Sequence, residues 1–401
     1  MNPIHLWHAC VALLAGAAFA QSADIPAGTR LDIRLTSAIN TSTAKPNQPF
    51  HAVLIAPLVD AGKLVLAAGD TVSGHIKEVK AATQPDDQAI LNLSFDQIAD
   101  STGTRTSLPA KVASVDNARE SVDADGRILG IVASQTGSGR LNQGINKVAQ
   151  KYPGLAEVLG GIKQAVLKDT DANIDYEPGT EITVELTKIV SWNGKAAWPD
   201  VRPVKPEQRL ADIISREPLR AFAENERPSD ITNVMFVGSE ADLERAFLQA
   251  GWSTAAQLNS ASKLETFRAM AEMRGYHEAP VSTLYLNGQP PDLVFQKQNN
   301  TFAARHHLRI WRRPGALNGK QLWICAATHD IAIDFSEENR TFIHKIDSRI
   351  DLERAKVVND LLFTGLVKGL SLVERQDVPE NMFNATGDKL ETDGKIAVLE
   401  F

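Results

Sequence analysis

The stretch Arg305-His306-His307-Leu308-Arg309-Ile310-Trp311, followed past Asn318-Gly319 by Leu322-Trp323-Ile324-Cys325-Ala326-Ala327-Thr328, decides the fold of the second half of this chain. Both runs suit a pleated surface, and Asn-Gly between such runs marks a tight hairpin turn. Period two places Arg305, His307, Arg309 and Trp311 on one face of the first strand and His306, Leu308 and Ile310 on the other. Upstream, Val234-Met235-Phe236-Val237 reads as a short apolar strand. Ser239, with Asp242 three residues on, starts a helix whose Leu243, Ala246, Phe247 and Ala250 share a face before Gly251 ends it. Leu264, Phe267 and Met270 mark another helix, stopped by Gly275. Val281 to Leu286 is a strand turning at Asn287-Gly288, and Thr341 to Ile346 is a further strand. A helix from Asp351 to about Leu362 packs Ile350, Val357, Val358, Leu361 and Leu362. Thr392-Asp393-Gly394-Lys395 is a last turn before a closing strand, Ile396 to Phe401. The pattern predicts an alpha+beta module with a mixed or antiparallel sheet over 207–375, and a hairpin or strand extension over 376–401.

The first half reads differently. Leu31, Ile33 and Leu35 alternate with Arg30, Asp32 and Arg34, and short strands follow at Phe50 to Leu58, Leu64 to Leu66, Thr71 to Val79, Ala89 to Phe95 and Ser107 to Val115. This spacing predicts an all-beta barrel or sandwich-like module over 21–190. Glu177-Pro178-Gly179-Thr180 before Ile182, Val184 and Leu186 repeats the Ile25-Pro26-Ala27-Gly28-Thr29 approach to Leu31, so these two distant strands are expected to pair and close one barrel. Residues 126–168 carry recurring glycines among Ile, Leu, Val and Ala, which predicts a helical insertion. Gly137-Ser138-Gly139 lacks the third glycine of a dinucleotide loop. Pro199, Pro203 and Pro206 make 191–206 a semi-rigid linker.

The composition narrows the function. Of 401 residues 43% are hydrophobic, and 42 Lys and Arg against 49 Asp and Glu give a net charge of -7. That is a folded chain with no basic excess for a phosphate backbone, so no nucleic acid is expected. Two cysteines, Cys10 and Cys325, support neither a disulfide framework nor a Cys-based metal centre. Residues 1–20 lack Asp, Glu, Lys and Arg, run apolar from Val11 to Ala20 and close on Ala18-Phe19-Ala20, the pattern of a cleaved signal peptide. No later stretch reaches about 18 apolar residues, so the mature chain is expected to lack a transmembrane span. The expectation is an exported protein of the periplasm or cell envelope.

Two resemblances extend this reading. Ile25 to Thr29, Ile39-Asn40-Thr41, Ala44-Lys45-Pro46-Asn47-Gln48-Pro49-Phe50 and Ala67 to Gly74 resemble the beta-rich part of TrbI-like envelope proteins, over roughly residues 25–115. Pro228-Ser229-Asp230-Ile231-Thr232-Asn233, Ala279 to Leu286, Arg305 to Trp311, Ala326-Ala327-Thr328-His329-Asp330, and His344 to Asp347 through Asp351-Leu352-Glu353-Arg354 look like the LssY C-terminal domain, over about 207–370. Together they imply an envelope protein with a binding or assembly role and envelope protein partners. They leave the chemistry open.

The candidate site is the polar cluster of the second module: His307, Arg309, His329, Asp330, His344, Asp347, Asp351 and Arg354. His307 and Arg309 share a strand face and would converge on one anion. Arg354 sits on the apolar stripe of its helix and requires a partner, whether Asp330, Asp351 or a ligand phosphate. In the enzymatic alternative, a phosphoester or other ester hydrolase, Arg309 and Arg354 hold a negative group. His307 or His344 acts as acid or base, oriented by Asp330 or Asp347. A metal version uses His307, His329, His344 and an Asp. Neither His-Glu-x-x-His nor Gly-x-Ser-x-Gly occurs, so metal, cofactor and enzymatic status stay open. The plain alternative is structural: a satisfied core arginine, Asp351 as a helix-start carboxylate, and hydrogen-bonded strand histidines.

Overall fold

The computed structural model describes residues 23–401 except 62, 152, 198–199, 255–267, 269–271, 273–280, 298–303 and 337–340. The signal-like segment 1–20 and the helix expected at Leu264, Phe267 and Met270 lie outside the described residues.

Alternation in the first half produces a nine-stranded sheet. Its central run pairs Ala110–Val115, Glu181–Leu186, Arg30–Leu35, Pro49–Leu54, Thr71–Lys80 and Gln88–Ala99, each antiparallel to the next. The two strands with similar approaches do pair, Ile33 opposite Ile182 and Leu31 opposite Val184. The Ala110–Val115 strand then comes back against Gln88–Ala99, so the sheet is a nearly closed barrel. Leu31, Ile33 and Leu35 line its core with Phe50, Leu91 and Val184. Phe50 meets Phe95 edge-on at 5.5 Å. Both strands draw close there because Gly74 has no side chain: a Cβ on it would lie 2.1 Å from the Ser94 carbonyl oxygen. The glycine-rich insertion forms two helices, Gly137–Ala149 and Pro153–Val166, while Ile128–Val132 within the same stretch joins the sheet.

The second half forms an eight-stranded mixed sheet. Its order is Trp252–Thr254, Leu293–Lys297, Arg305–Leu317, Lys320–Ser336, Val234–Val237, Lys395–Glu400 and Gly369–Glu374, with Thr341–Ile346 on the far half of Lys320–Ser336. Among the described residues of this sheet, only Val234–Val237 and Lys395–Glu400 run parallel; the extension expected beyond 376 supplies a strand inside the sheet. The Asn318-Gly319 turn has both residues at positive φ, 54° and 77°, as a primed hairpin turn needs. Of the strand expected at Val281 to Leu286 only isolated bridges form, at Tyr285 and Leu286.

The two sheet faces carry separate cores. Val234, Phe236, Leu308, Ile310, Trp323 and Cys325 pack under the helices Glu240–Gln249 and Ile350–Phe363. Met235, Val237, Trp311 and Ile324 pack on the opposite face with Leu210 and Ile214 of the helix Glu207–Ile214. The first of these helices opens with Ser239 and Asp242 as reciprocal caps. From the linker, Arg202 hydrogen-bonds along the edge strand at Lys368 and Leu370. No helix among the described residues is long and apolar enough to cross a membrane.

Candidate functional site

The Arg305–Leu317 and Lys320–Ser336 strands pair in a register that sets Arg305 opposite Asp330, His306 opposite His329 and His307 opposite Thr328. Cross-strand partners share a face, so this one ladder sorts the histidines into two groups on opposite sides of the sheet.

On the side away from the Ile350–Phe363 helix, Asp330 is the hub. Arg305 donates to its Oδ2 from Nε at 3.1 Å and Nη2 at 3.0 Å. His344 Nδ1 stands 3.5 Å from Asp330 Oδ2, and His307 Nε2 stands 4.0 Å from Oδ1 and 3.4 Å from the Thr328 hydroxyl. Burial pushes Asp330 up to about 6 despite Arg305 and Arg309. Burial, with Arg309 and Arg305 nearby, holds His307 well below the usual histidine range; burial and then Arg305 take His344 down to about 3. Arg309 donates to Asp230 Oδ2 at 3.0 Å, the Ser282 hydroxyl at 3.0 Å and the Ser282 carbonyl at 2.9 Å. Among the described residues, His307 Nδ1 is buried without a hydrogen-bond partner.

The remaining predicted residues stand elsewhere. Arg354 lies on the helix side, held by Asp351 at 2.9 Å, by Asp393 at 2.8 and 2.9 Å and by the Lys395 carbonyl. It therefore shares no partner with Arg309. Asp351 also accepts from Thr392 and the Asp393 backbone, and Asp347 accepts from Arg349. His329 Nε2 donates to Asn117 Oδ1 at 3.0 Å, and burial with His306 beside it takes it down to about 4. A cavity of about 620 Å³ opens near Asp292, Trp311, Arg312 and Gln321, and none of the eight predicted residues lines it.

Sequence reasoning missed the helix-side group, whose members come from both modules. His306 is 3% exposed; its Nδ1 lies 2.7 Å from Glu353 Oε2 and its Nε2 lies 3.0 Å from Asp116 Oδ2 of the barrel module. Burial opposes its charge, but Glu353 and then Asp116 outweigh burial and raise it to about 9. The His306 and His329 rings stack with centroids 3.9 Å apart. Beside them lies a buried ion network. Arg34 Nη2 donates to Glu181 at 2.7 Å and to Asp360 at 3.0 Å, and Lys297 Nζ reaches Glu181 at 2.8 Å and Asp360 at 2.9 Å. Lys356 also bonds Glu181, and Trp252 Nε1 donates to Asp360 at 2.9 Å. Burial opposes the Glu181 charge, yet Lys297, Lys356 and Arg34 hold its carboxyl well below the usual range. Arg34 and Glu181 belong to the barrel, whereas Lys297, Lys356 and Asp360 belong to the second module, so the network joins the two. A signal for it was present: His306 falls on the same strand face as Leu308 and Ile310, where a polar ring must find a partner.

No curated relative matches the chain. Among solved structures, the chain is similar to ComB10 of the Com type IV secretion system of Helicobacter pylori, at 13% identity over 42% of this chain and 90% of that one. The TM-score is 0.24, and at that value the likeness carries no argument about function. The model of the LssY C-terminus family matches residues 218–396, which takes in both histidine groups and the strand at the sheet centre. The second module of this chain, over residues 218–396, is thus matched to the LssY C-terminus family.

Proposed function

We propose that this chain is an exported protein of the bacterial cell envelope, with a binding or assembly role toward envelope protein partners. One observation carries the choice of binding over catalysis. Arg305, Arg309 and Arg354, the groups suited to hold an anionic substrate, are each already engaged by carboxylates of the protein itself. Displacing Asp330 from Arg305 or Asp230 from Arg309 with a ligand would leave a buried carboxylate uncompensated, which costs about 3–5 kcal/mol. The LssY C-terminus match and the signal-like residues 1–20 support the envelope placement.

A hydrolase or anion-binding site is the second reading. It is favoured by the unpartnered His307 Nδ1 and by the proximity of His307 and His344 to Asp330. Two measurements on the full-length chain decide. Fractionation is expected to place it outside the cytosol, with deletion of residues 1–20 retaining it inside; cytosolic full-length protein refutes the export reading. Inorganic phosphate is expected to leave the melting temperature unchanged. Phosphoester turnover that disappears in His307→Ala and Asp330→Asn would instead establish the hydrolase.

A further inference from the structure

We propose that Asp116, His306 and His329 form a binding site for a divalent first-row transition-metal cation such as zinc, on the seam between the two modules. One ligand-type atom from each residue lies within 4.8 Å of the other two. Ligand atoms of one zinc ion, at bond lengths of about 2.0–2.2 Å, stand roughly 3–4 Å from one another, so modest side-chain movement closes the set. His306 Nε2 and the Asp116 carboxylate oxygens are already 3.0 and 3.2 Å apart. His329 Nε2 faces Asn117 Oδ1 at 3.0 Å, and the amide oxygen is a fourth donor from the residue next to Asp116.

The two imidazoles come together because the strand register sets them directly opposite and their rings stack, with an interplanar angle of 19°. Both then present Nε2 to the consecutive pair Asp116 and Asn117 of the barrel module. Glu353 supplies the outer support: its Oε2 lies 2.7 Å from His306 Nδ1, which fixes the ring and commits Nε2 to the Asp116 side. Carboxylate–histidine–metal arrangements have this form. Glu353 is 4% exposed, and among the described residues its side-chain hydrogen bond goes to that ring. Among the described residues, the hydrogen bonds of the Asp116 carboxylate go to His306. Lys356, 3.8 Å from Asp116 Oδ2, bonds Glu181 instead. On binding, the cation takes the place of the protons on His306 Nε2 and His329 Nε2: the first passes to solvent and the second moves to His329 Nδ1, which leaves both rings neutral. Two imidazole nitrogens with one carboxylate suit zinc and its first-row neighbours, whereas calcium and magnesium take oxygen sets. The site differs from the metal version expected from sequence: only His329 is common, and His307 and His344 face the other side of the sheet.

The test uses the full-length chain stripped with a chelator and titrated with zinc by calorimetry, with metal content measured after desalting. About one zinc per chain is expected to be retained. Asp116→Asn and His329→Gln, which keep side-chain size, are each expected to weaken binding at least tenfold while the far-ultraviolet circular dichroism stays unchanged. His307→Ala is expected to bind as the parent does. Cobalt-loaded parent protein gives a readout independent of variants, a visible absorption band from a nitrogen and oxygen ligand set. Zinc-free parent protein, unaltered affinity in Asp116→Asn, or equal loss in His307→Ala overturns the assignment and leaves a proton-bridged contact between modules.

Discussion

Replacing Glu181 by glutamine tests whether the buried ion network holds the two modules together. The Glu181 carboxylate takes a bond from Arg34 at 2.7 Å, one from Lys297 at 2.8 Å and a third from Lys356. Hydrogen bonds to charged groups contribute about 1.5–3 kcal/mol each, so the three amount to roughly 4.5–9 kcal/mol before relaxation. The introduced amide would keep a carbonyl acceptor, and Lys356, the most exposed of the three cations at 19%, can turn toward water. Arg34 and Lys297, at 8% and 7% exposure, cannot, and Asp360 becomes the carboxylate that the two share. The net cost expected for removing one partner from such a buried group is about 3–5 kcal/mol. At about 2–4 °C per kcal/mol for a domain of this size, the melting temperature falls by roughly 6–20 °C. The sign with pH follows from the depressed Glu181 carboxyl. Its contribution is present above the unfolded carboxylate range and is lost as pH falls through the lower folded value, so parent and variant converge in acid. Calorimetry of Glu181→Gln, Lys297→Met and the double variant reads both the magnitude and the coupling. A fall under about 2 °C, or strictly additive single effects, would refute a joined network.

Two further outcomes follow from the geometry. His344→Gln is expected to flatten the acid side of the stability curve. The folded value near 3 lies below the unfolded 6.5, so its contribution is intact above 6.5 and is lost as pH falls toward 3. At pH 5 this amounts to about 2 kcal/mol, which urea titrations at pH 7 and 5 would resolve; an unchanged difference between the two refutes it. Gly74→Ala drives a methyl group to 2.1 Å from the Ser94 carbonyl oxygen and 2.6 Å from the Phe50 ring, and the strands must part. A loss of about 1–3 kcal/mol in thermal stability is expected, and a neutral variant would mean the strands are looser than described.

Most of the fold was legible because its signals are local. Alternation from Leu31 to Leu35, the Asn318-Gly319 turn and the Ser239–Asp242 cap each lie within a few residues, and each forms as read. The strand expected at Val281 to Leu286 was read from apolar content, but its residues pack against the Trp311 face as a bridged loop and do not join the sheet. The site was legible in part. Period two correctly set His307 and Arg309 on one face, and the ladder adds Asp330 to it. Arg354 was expected to need a partner, Asp330, Asp351 or a ligand phosphate; Asp351 is one, while Asp393 comes through the final turn. His306, Arg34 and Lys297 were given no partners because Asp116, Glu181 and Asp360 lie far along the chain from them, beyond any periodicity. The rule applied to Arg354, that a charge on an apolar face implies a partner, would have flagged His306 as well.

The placement of Lys395–Glu400 between Val234–Val237 and Gly369–Glu374 has a consequence for biosynthesis. A ribosome makes this strand after both of its neighbours, so the second sheet is held in two pieces, each with a bare edge, until these residues leave the exit tunnel. Contacts of such long sequence separation form slowly. The nascent module therefore stays open through nearly all of its translation, and a truncation that removes only residues 395–401 should send it to chaperones and proteases in place of yielding a smaller folded domain.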